Sequence, residues 1–316
     1  MKNRVKIKRI IAWLITVPLT VLVIQVCGHV MDPAYSSAGF DTIEAFHKIE
    51  DNTLDVMIYG SSRAWKGCDT TVMADEYGLS AYNYGCNWQA INTTALFLQD
   101  SLLTQTPKVV CIETGLVDDI EKNKGMDGQI YYTKAMPNSQ AKKDFLRQCF
   151  GKDPEKWLSY YVPLIVFHNN WNKITYESFH STGYQYYLDS RGYEAGSSVK
   201  DVKIPDYHTF KQTELSEDSL QALDKIVAAC KEKGVQIIFY TAPIAEEYDH
   251  IDALKAYAEK NGCVYLDIFE YADEIGIRGD TDFQDETHLN TSGAAKLARF
   301  LSEYIIAHYD VPHTVS

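Results

Sequence analysis

The chain has 316 residues, 46% of them apolar and 22 of them tyrosine, so one large domain or two ordinary ones with a sizeable core are expected. Its formal net charge is −13, yet Lys2, Arg4, Lys6, Lys8 and Arg9 crowd into the first ten residues. The body is therefore more acidic than the total, which argues against a nucleic-acid partner.

Residues 1–9 form a basic flank, and Ile10 to Val26 follow without a charge. With Cys27 to Val30 the apolar stretch reaches about 20 residues, enough to cross a bilayer core. The expectation is an uncleaved transmembrane anchor over 10–30, with the basic end cytoplasmic and residues 31–316 outside the membrane. A cleaved signal peptide would have a shorter apolar region and a small-x-small site, and neither is found. Cys27 follows Val26, where a lipid-modified cysteine would need a small residue, and reads as an apolar membrane residue. The other cysteines are at 68, 86, 111, 149, 230 and 263, with no Cys-x-x-Cys pair. Cys111 in a strand-like run and Cys230 in a helix-like one point to mostly buried free thiols, and neither a metal site nor a cofactor is expected.

Residues 31–51 read as a tether and a helix over 41–49. Leu54 to Tyr59 is an apolar run that stops at Gly60, as in a strand of a parallel sheet covered on both faces. Ser62 then lies at the carboxyl end of that strand, where open α/β sheets place their active sites. A helix over 70–77, a strand over 80–84, helical periodicity over 88–103 and a strand over 108–113 follow. Residues 118–212 break the pattern and read as a cap-like insert over the strand ends, with helical pieces near 138–149 and 171–178. Tyr161 to Trp171 suggests either aromatic packing of this cap onto the sheet or the wall of a polymer groove. Order returns with a helix over 216–233 closed by Gly234, a strand over 235–241, a helix over 247–261, a strand over 263–268 and a last helix after 290. Strands alternating with helices argue for a parallel sheet with right-handed crossovers.

Just before that last helix, Asp285 and His288 stand three positions apart, with Asn290 or Thr291 as the cap. A serine needs a base within hydrogen-bond reach to act as a nucleophile. The spacing lets Asp285 hold one imidazole nitrogen while the other faces Ser62, as in a Ser-His-Asp triad. Asp282 and Glu286 read as solvated loop residues. Arg63 has two readings: it neutralises an acidic substrate group, or it pairs with a surface carboxylate.

Gly60-Ser61-Ser62 followed by Asp285-x-x-His288-Leu289-Asn290 resembles the SGNH (GDSL-like) hydrolase superfamily, and within it the membrane-anchored DltD-like and alginate-acetylation-like branch. The resemblance covers residues 52 to 308 as short blocks around an insert. It implies a three-layer, flavodoxin-like α/β domain with a cap insertion. Ser62 would be the nucleophile, His288 the general base and Asp285 the residue orienting it. Ser61 stands where many relatives have aspartate. For the oxyanion it implies the Ser62 N–H and Gly85. The asparagine that most relatives carry after the third strand is absent, since Glu113-Thr114-Gly115 stands there. Asn87 or an N–H near Gly115 would have to substitute, and one lost donor costs about 100- to 1000-fold in rate.

The resemblance implies a membrane-anchored extracytoplasmic esterase or acyltransferase. It would act through an acyl-enzyme on O-acyl groups of a cell-envelope polysaccharide or teichoic acid, beside a membrane-bound O-acyltransferase. The alternative is a non-catalytic, polymer-binding scaffold for such a transferase. Likeness of fold does not select the substrate.

Overall fold

The computed structural model describes residues 2–119, 130, 132–176, 178–179, 182–206 and 209–314. Residues 120–129 of the expected insert lie outside them. The first element is a single apolar helix, α1 (Lys2–Met31), long and apolar enough to cross a membrane, and its most apolar window is not buried against the rest of the chain.

Beyond α1 lies an α/β unit built on five strands: β1 (Val56–Tyr59), β2 (Ala81–Asn83), β3 (Val109–Glu113), β4 (Gln236–Thr241) and β5 (Val264–Asp267). They pair in parallel in the order β2-β1-β3-β4-β5. Every residue of β1 and β3 is buried, as their continuous apolar runs require. Side chains alternate along a strand. Met57 and Tyr59 therefore enter one core while Val56 and Ile58 enter another on the opposite face. The first core is roofed by α2 (Ala38–Phe46), α5 (Ile91–Ser101), α10 (Glu217–Lys233) and α11 (Ile251–Asn261). The second is closed by α4 (Thr70–Tyr77) and α13 (Thr291–His308). The chain runs from β1 to β2 on one side and then returns to β3 on the other. That reversal opens a crevice between the carboxyl ends of β1 and β3. The one-turn helix α3 (Ser62–Trp65) follows β1 there.

Some boundaries moved. The first helix after α1 starts earlier than expected because Ser37 caps it through the Phe40 N–H at 3.4 Å. The helix expected from 88 starts at Ile91, since Trp88 turns the chain with φ +57°. That expected from 247 starts at Ile251. Helix α12 (Ile268–Ile275) was not expected; Asp267 caps it by accepting the Phe269 N–H at 3.1 Å.

The insert contains α6 (Gln140–Phe150), α7 (Pro154–Tyr161), α8 (Leu164–Phe167) and α9 (Gly183–Asp189). A 3-10 turn at His168–Lys173 replaces the helix expected over 171–178. The described parts of the insert spread over several neighbours. Helix α6 packs on α5, and α8 and the 3-10 turn pack on the end of α1. Helix α9 packs on α2, with Tyr187 stacked on Trp65 at 5.8 Å. The expected packing of Tyr161 and Trp171 onto the sheet is absent, since they are 54% and 69% exposed. Tyr193 is buried, and the Arg191 carbonyl accepts the Asn83 N–H at 2.9 Å, extending the β2 edge.

Candidate active site

The site begins where β1 stops. Gly60 has φ +142°, and a Cβ there would lie 2.6 Å from the Glu113 Cβ. Only glycine lets the end of β1 approach the end of β3 this closely. Ser61 then caps α3: its Oγ accepts the Arg63 N–H at 3.2 Å and donates to Glu113 Oε2 at 3.0 Å. Ser61 is thus committed to structure. Ser62, the first residue of α3, keeps a half-buried hydroxyl at the mouth of the crevice.

Asp285 and His288 arrive on a small antiparallel hairpin, β6 (Phe283–Asp285) and β7 (His288–Leu289), separate from the main sheet. Glu286 and Thr287 form its turn, so Asp285 and His288 are cross-strand partners. Directly opposed side chains on one face of such a pair touch, which is the physical content of the three-residue spacing. His288 Nδ1 lies 2.8 Å from Asp285 Oδ1 and 3.0 Å from Oδ2. On its other side, His288 Nε2 lies 2.6 Å from Ser62 Oγ, across 226 positions of sequence.

The hairpin is pinned by polar groups. Asn290 caps α13 through the Ser292 and Gly293 N–H groups, and its Nδ2 donates to the carbonyls of Thr281 (2.8 Å) and Phe283 (3.3 Å). Asp282 corrects the solvated-loop reading. It is fully buried and accepts the Arg278 N–H, the Ser292 hydroxyl and the Lys296 ammonium, each at 2.7 Å. Glu286 is exposed in the turn as expected, paired with Lys200, and its carbonyl accepts the Ala245 N–H at 2.6 Å.

Burial favours the neutral form of the His288 imidazole and lowers its pKa below 6.5. The Asp285 carboxylate opposes this, while the charges of Lys66 and Arg63 reinforce it. A neutral imidazole is what a general base needs. Burial alone would raise the Asp285 carboxyl. Hydrogen bonds from the Thr287 N–H, His288 and the Thr287 hydroxyl outweigh it and bring the group down to about 2. A firmly ionised Asp285 holds the Nδ1–H tautomer, leaving Nε2 as the acceptor toward Ser62.

The expected oxyanion donors fare differently. The Ser62 N–H has no acceptor among the described residues. Gly85 does sit against the nucleophile's turn, where an added Cβ would be 3.1 Å from the Gly60 carbonyl and from the Trp65 nitrogen. Its N–H, however, donates to Asn83 Oδ1 at 3.1 Å, so it is not a free donor. Asn87 is exposed in the next turn, with no hydrogen bond to Ser62 among the described residues. The Gly115 N–H is held by Glu113 Oε1 at 2.6 Å. Among the described residues Arg63 forms no ion pair with a surface carboxylate. Its guanidinium donates to the Gly115 carbonyl at 3.1 Å.

Glu113 is the residue that sequence reasoning missed. It is 3% exposed and receives hydrogen bonds from Ser61 Oγ and the Gly115 N–H. Burial raises its carboxyl above the ordinary 4.5, and the Arg63 charge with the hydrogen bonds from Gly115 and Ser61 offsets only part of that rise. Because both neighbours donate to it, the carboxylate form fits the geometry. A charged residue ending an otherwise apolar strand was the available signal. Cys68, Cys86, Cys111 and Cys230 are buried thiols outside any disulfide, as expected of the strand-like and helix-like runs, and Cys27 and Cys263 are part-buried thiols.

Compared with known proteins, the chain matches no family model and no curated protein.

Proposed function

We propose that this is a serine-nucleophile enzyme working by acyl transfer. One observation carries the reading: the Ser62 hydroxyl lies 2.6 Å from His288 Nε2 while Asp285 holds Nδ1. In this scheme His288 takes the Ser62 proton as Oγ attacks an acyl carbonyl. The resulting oxyanion meets the Ser62 N–H. The imidazolium then gives its proton to the leaving alcohol, and an ester remains on Ser62.

More particularly, we read the chain as a membrane-anchored member of the SGNH type, close to the DltD-like and alginate-acetylation-like branch. The flavodoxin-like strand order, the position of Ser62 after β1 and the Asp-x-x-His-Leu-Asn block support this reading. The acyl group would pass to water or to a hydroxyl of a cell-envelope polysaccharide or teichoic acid. A membrane-bound O-acyltransferase is the proposed partner. Helix α1 would keep residues 1–9 cytoplasmic and the α/β unit outside.

The non-catalytic scaffold reading is favoured by one observation: Gly85 and Gly115 both have their N–H groups engaged, and Asn87 faces solvent. Labelling of the full-length protein with a fluorophosphonate separates the two. The enzyme reading expects adduct formation on the wild type and none on Ser62→Ala; an unlabelled wild type would leave the scaffold. Partitioning of the acyl-enzyme between water and added glycan then distinguishes hydrolysis from transfer.

A further inference from the structure

Between α7 and Phe179 stand large apolar side chains that no described residue covers. Helix α8, Leu164-Ile165-Val166-Phe167, has no buried residue, and Ile165 and Val166 are 48% and 45% exposed. Around it Leu158, Tyr161, Trp171 and Phe179 are each at least half exposed. A contiguous patch of this kind marks an interaction surface.

Its partner follows from what it is attached to. Gln25 Nε2 of α1 donates to the Tyr161 carbonyl at 3.3 Å. A Cβ on Gly28 would meet the Leu164 nitrogen at 3.1 Å, so α8 lies flush against that turn of α1. Asn170 Nδ2 donates to the Met31 carbonyl at 3.2 Å. Counted from Ile10, the start of the unbroken charge-free stretch, about 20 helical residues fill a 30 Å hydrocarbon core, ending at His29. The chain from Tyr161 to Leu164 is therefore fixed at a level where α1 is still leaving the lipid. Tyrosine and tryptophan at that level are the side chains that favour the membrane interface. A cavity of about 550 Å³ between α1 and this stretch is lined by Gln25, His29, Lys134, Lys142, Tyr161 and Phe179.

We propose that residues 158–176 and 178–179 form an interfacial surface that lies in the outer leaflet beside α1. The domain then rests on the membrane instead of swinging from a tether, and the Ser62 crevice is held at a set height. The inference rests on reading α1 as a membrane-spanning helix, and the test keeps the two apart.

Ile165→Cys, Leu14→Cys and Lys225→Cys are labelled with an environment-sensitive fluorophore in the full-length chain, with parent labelling subtracted. The proteins are reconstituted into phosphatidylcholine–phosphatidylglycerol vesicles containing brominated lipid. The expected result is blue-shifted, lipid-quenched emission at 14 and 165 and neither effect at 225. Quenching at 14 with a water-like signal at 165 overturns the proposal and leaves the anchor standing. A blue-shifted signal at 165 that lipid does not quench also overturns it, because a protein would then cover the patch. No quenching at 14 removes the anchor and the proposal together.

Discussion

The nucleophile and the base are held by two very different pieces of structure. Ser62 follows a central strand whose every residue is buried, and its turn is fixed by Gly60 and by the Glu113 carboxylate beneath Ser61. His288 rides on a hairpin of three plus two residues outside the sheet. Such a ribbon is marginal by itself. Phe283 and Leu289 seat it in the second core, and the polar groups of Asp282, Asn290 and Lys296 fix its catalytic end. Burial of a whole strand thus sets one half of the site, and two core anchors with a hydrogen-bond network set the other. Damage to the two halves should look different.

The largest effects come from the reacting groups themselves. His288→Ala should slow fluorophosphonate labelling of Ser62 by about 10⁶-fold, and Asp285→Asn by about 10⁴-fold. Both proteins should keep the wild-type melting temperature within a few degrees. Equal labelling of Asp285→Asn and wild type would mean that the 2.8 Å contact does not orient the imidazole.

Next comes the support of the hairpin. Asp282→Ala removes three hydrogen bonds and the buried partner of Lys296. Loss of one partner from a buried pair costs about 3 kcal/mol. Denaturant unfolding should show that loss, and labelling should fall because His288 loses its seat. Glu113→Gln makes the matching change under the nucleophile. An amide has one acceptor oxygen for two donors, so either Ser61 or Gly115 is left facing an N–H₂. A cost of about 2 kcal/mol is expected, with a smaller fall in labelling than for Asp282→Ala, because the buried β1 frame remains. The reverse order would place the weaker support under Ser62.

Sequence reading recovered the buried frame well and the hairpin poorly, for the same reason that the two are held differently. Four of the five parallel strands are apolar runs bounded by turns, a signal that burial on both faces writes directly. The hairpin has no apolar run: Gln284, Asp285, Glu286 and Thr287 look like loop, and their pairing depends on tertiary hydrogen bonds. The spacing of Asp285 and His288 was legible, but not the strand pair producing it. Asp282 reads as solvent-facing because the partners that bury it, Ser292 and Lys296, come 10 and 14 positions later. Gly85 reads as a donor because a glycine's small size, not its N–H, was what the packing used. Helix α12 carried a readable start, since Asp267 and Glu270 have capping-box spacing. The insert was illegible as architecture because its exposed aromatics pack on neither face of the sheet.

The smallest effect concerns charge around the base. Neutral His288 is the active form, so activity is present above its pKa and lost on acidification through it. With that pKa depressed by burial and by Lys66 and Arg63, the acid limb should lie below pH 6.5. Removing a cation makes protonation easier, so Lys66→Ala should move the limb to higher pH without changing the plateau rate. Arg63 is a poorer choice for this test, because it also anchors the Gly115 carbonyl. Acid unfolding should not confuse the reading. The stability contributed by Asp285 is full above its ordinary value of 3.8 and is lost only as pH falls toward about 2. The shift in a labelling-rate profile between pH 4.5 and 8 from wild type to Lys66→Ala thus reports the imidazole, since Asp285 stays ionised and Glu113 is common to both proteins. An acid limb that stays in place in Lys66→Ala would mean that Asp285 and burial fix the base unaided.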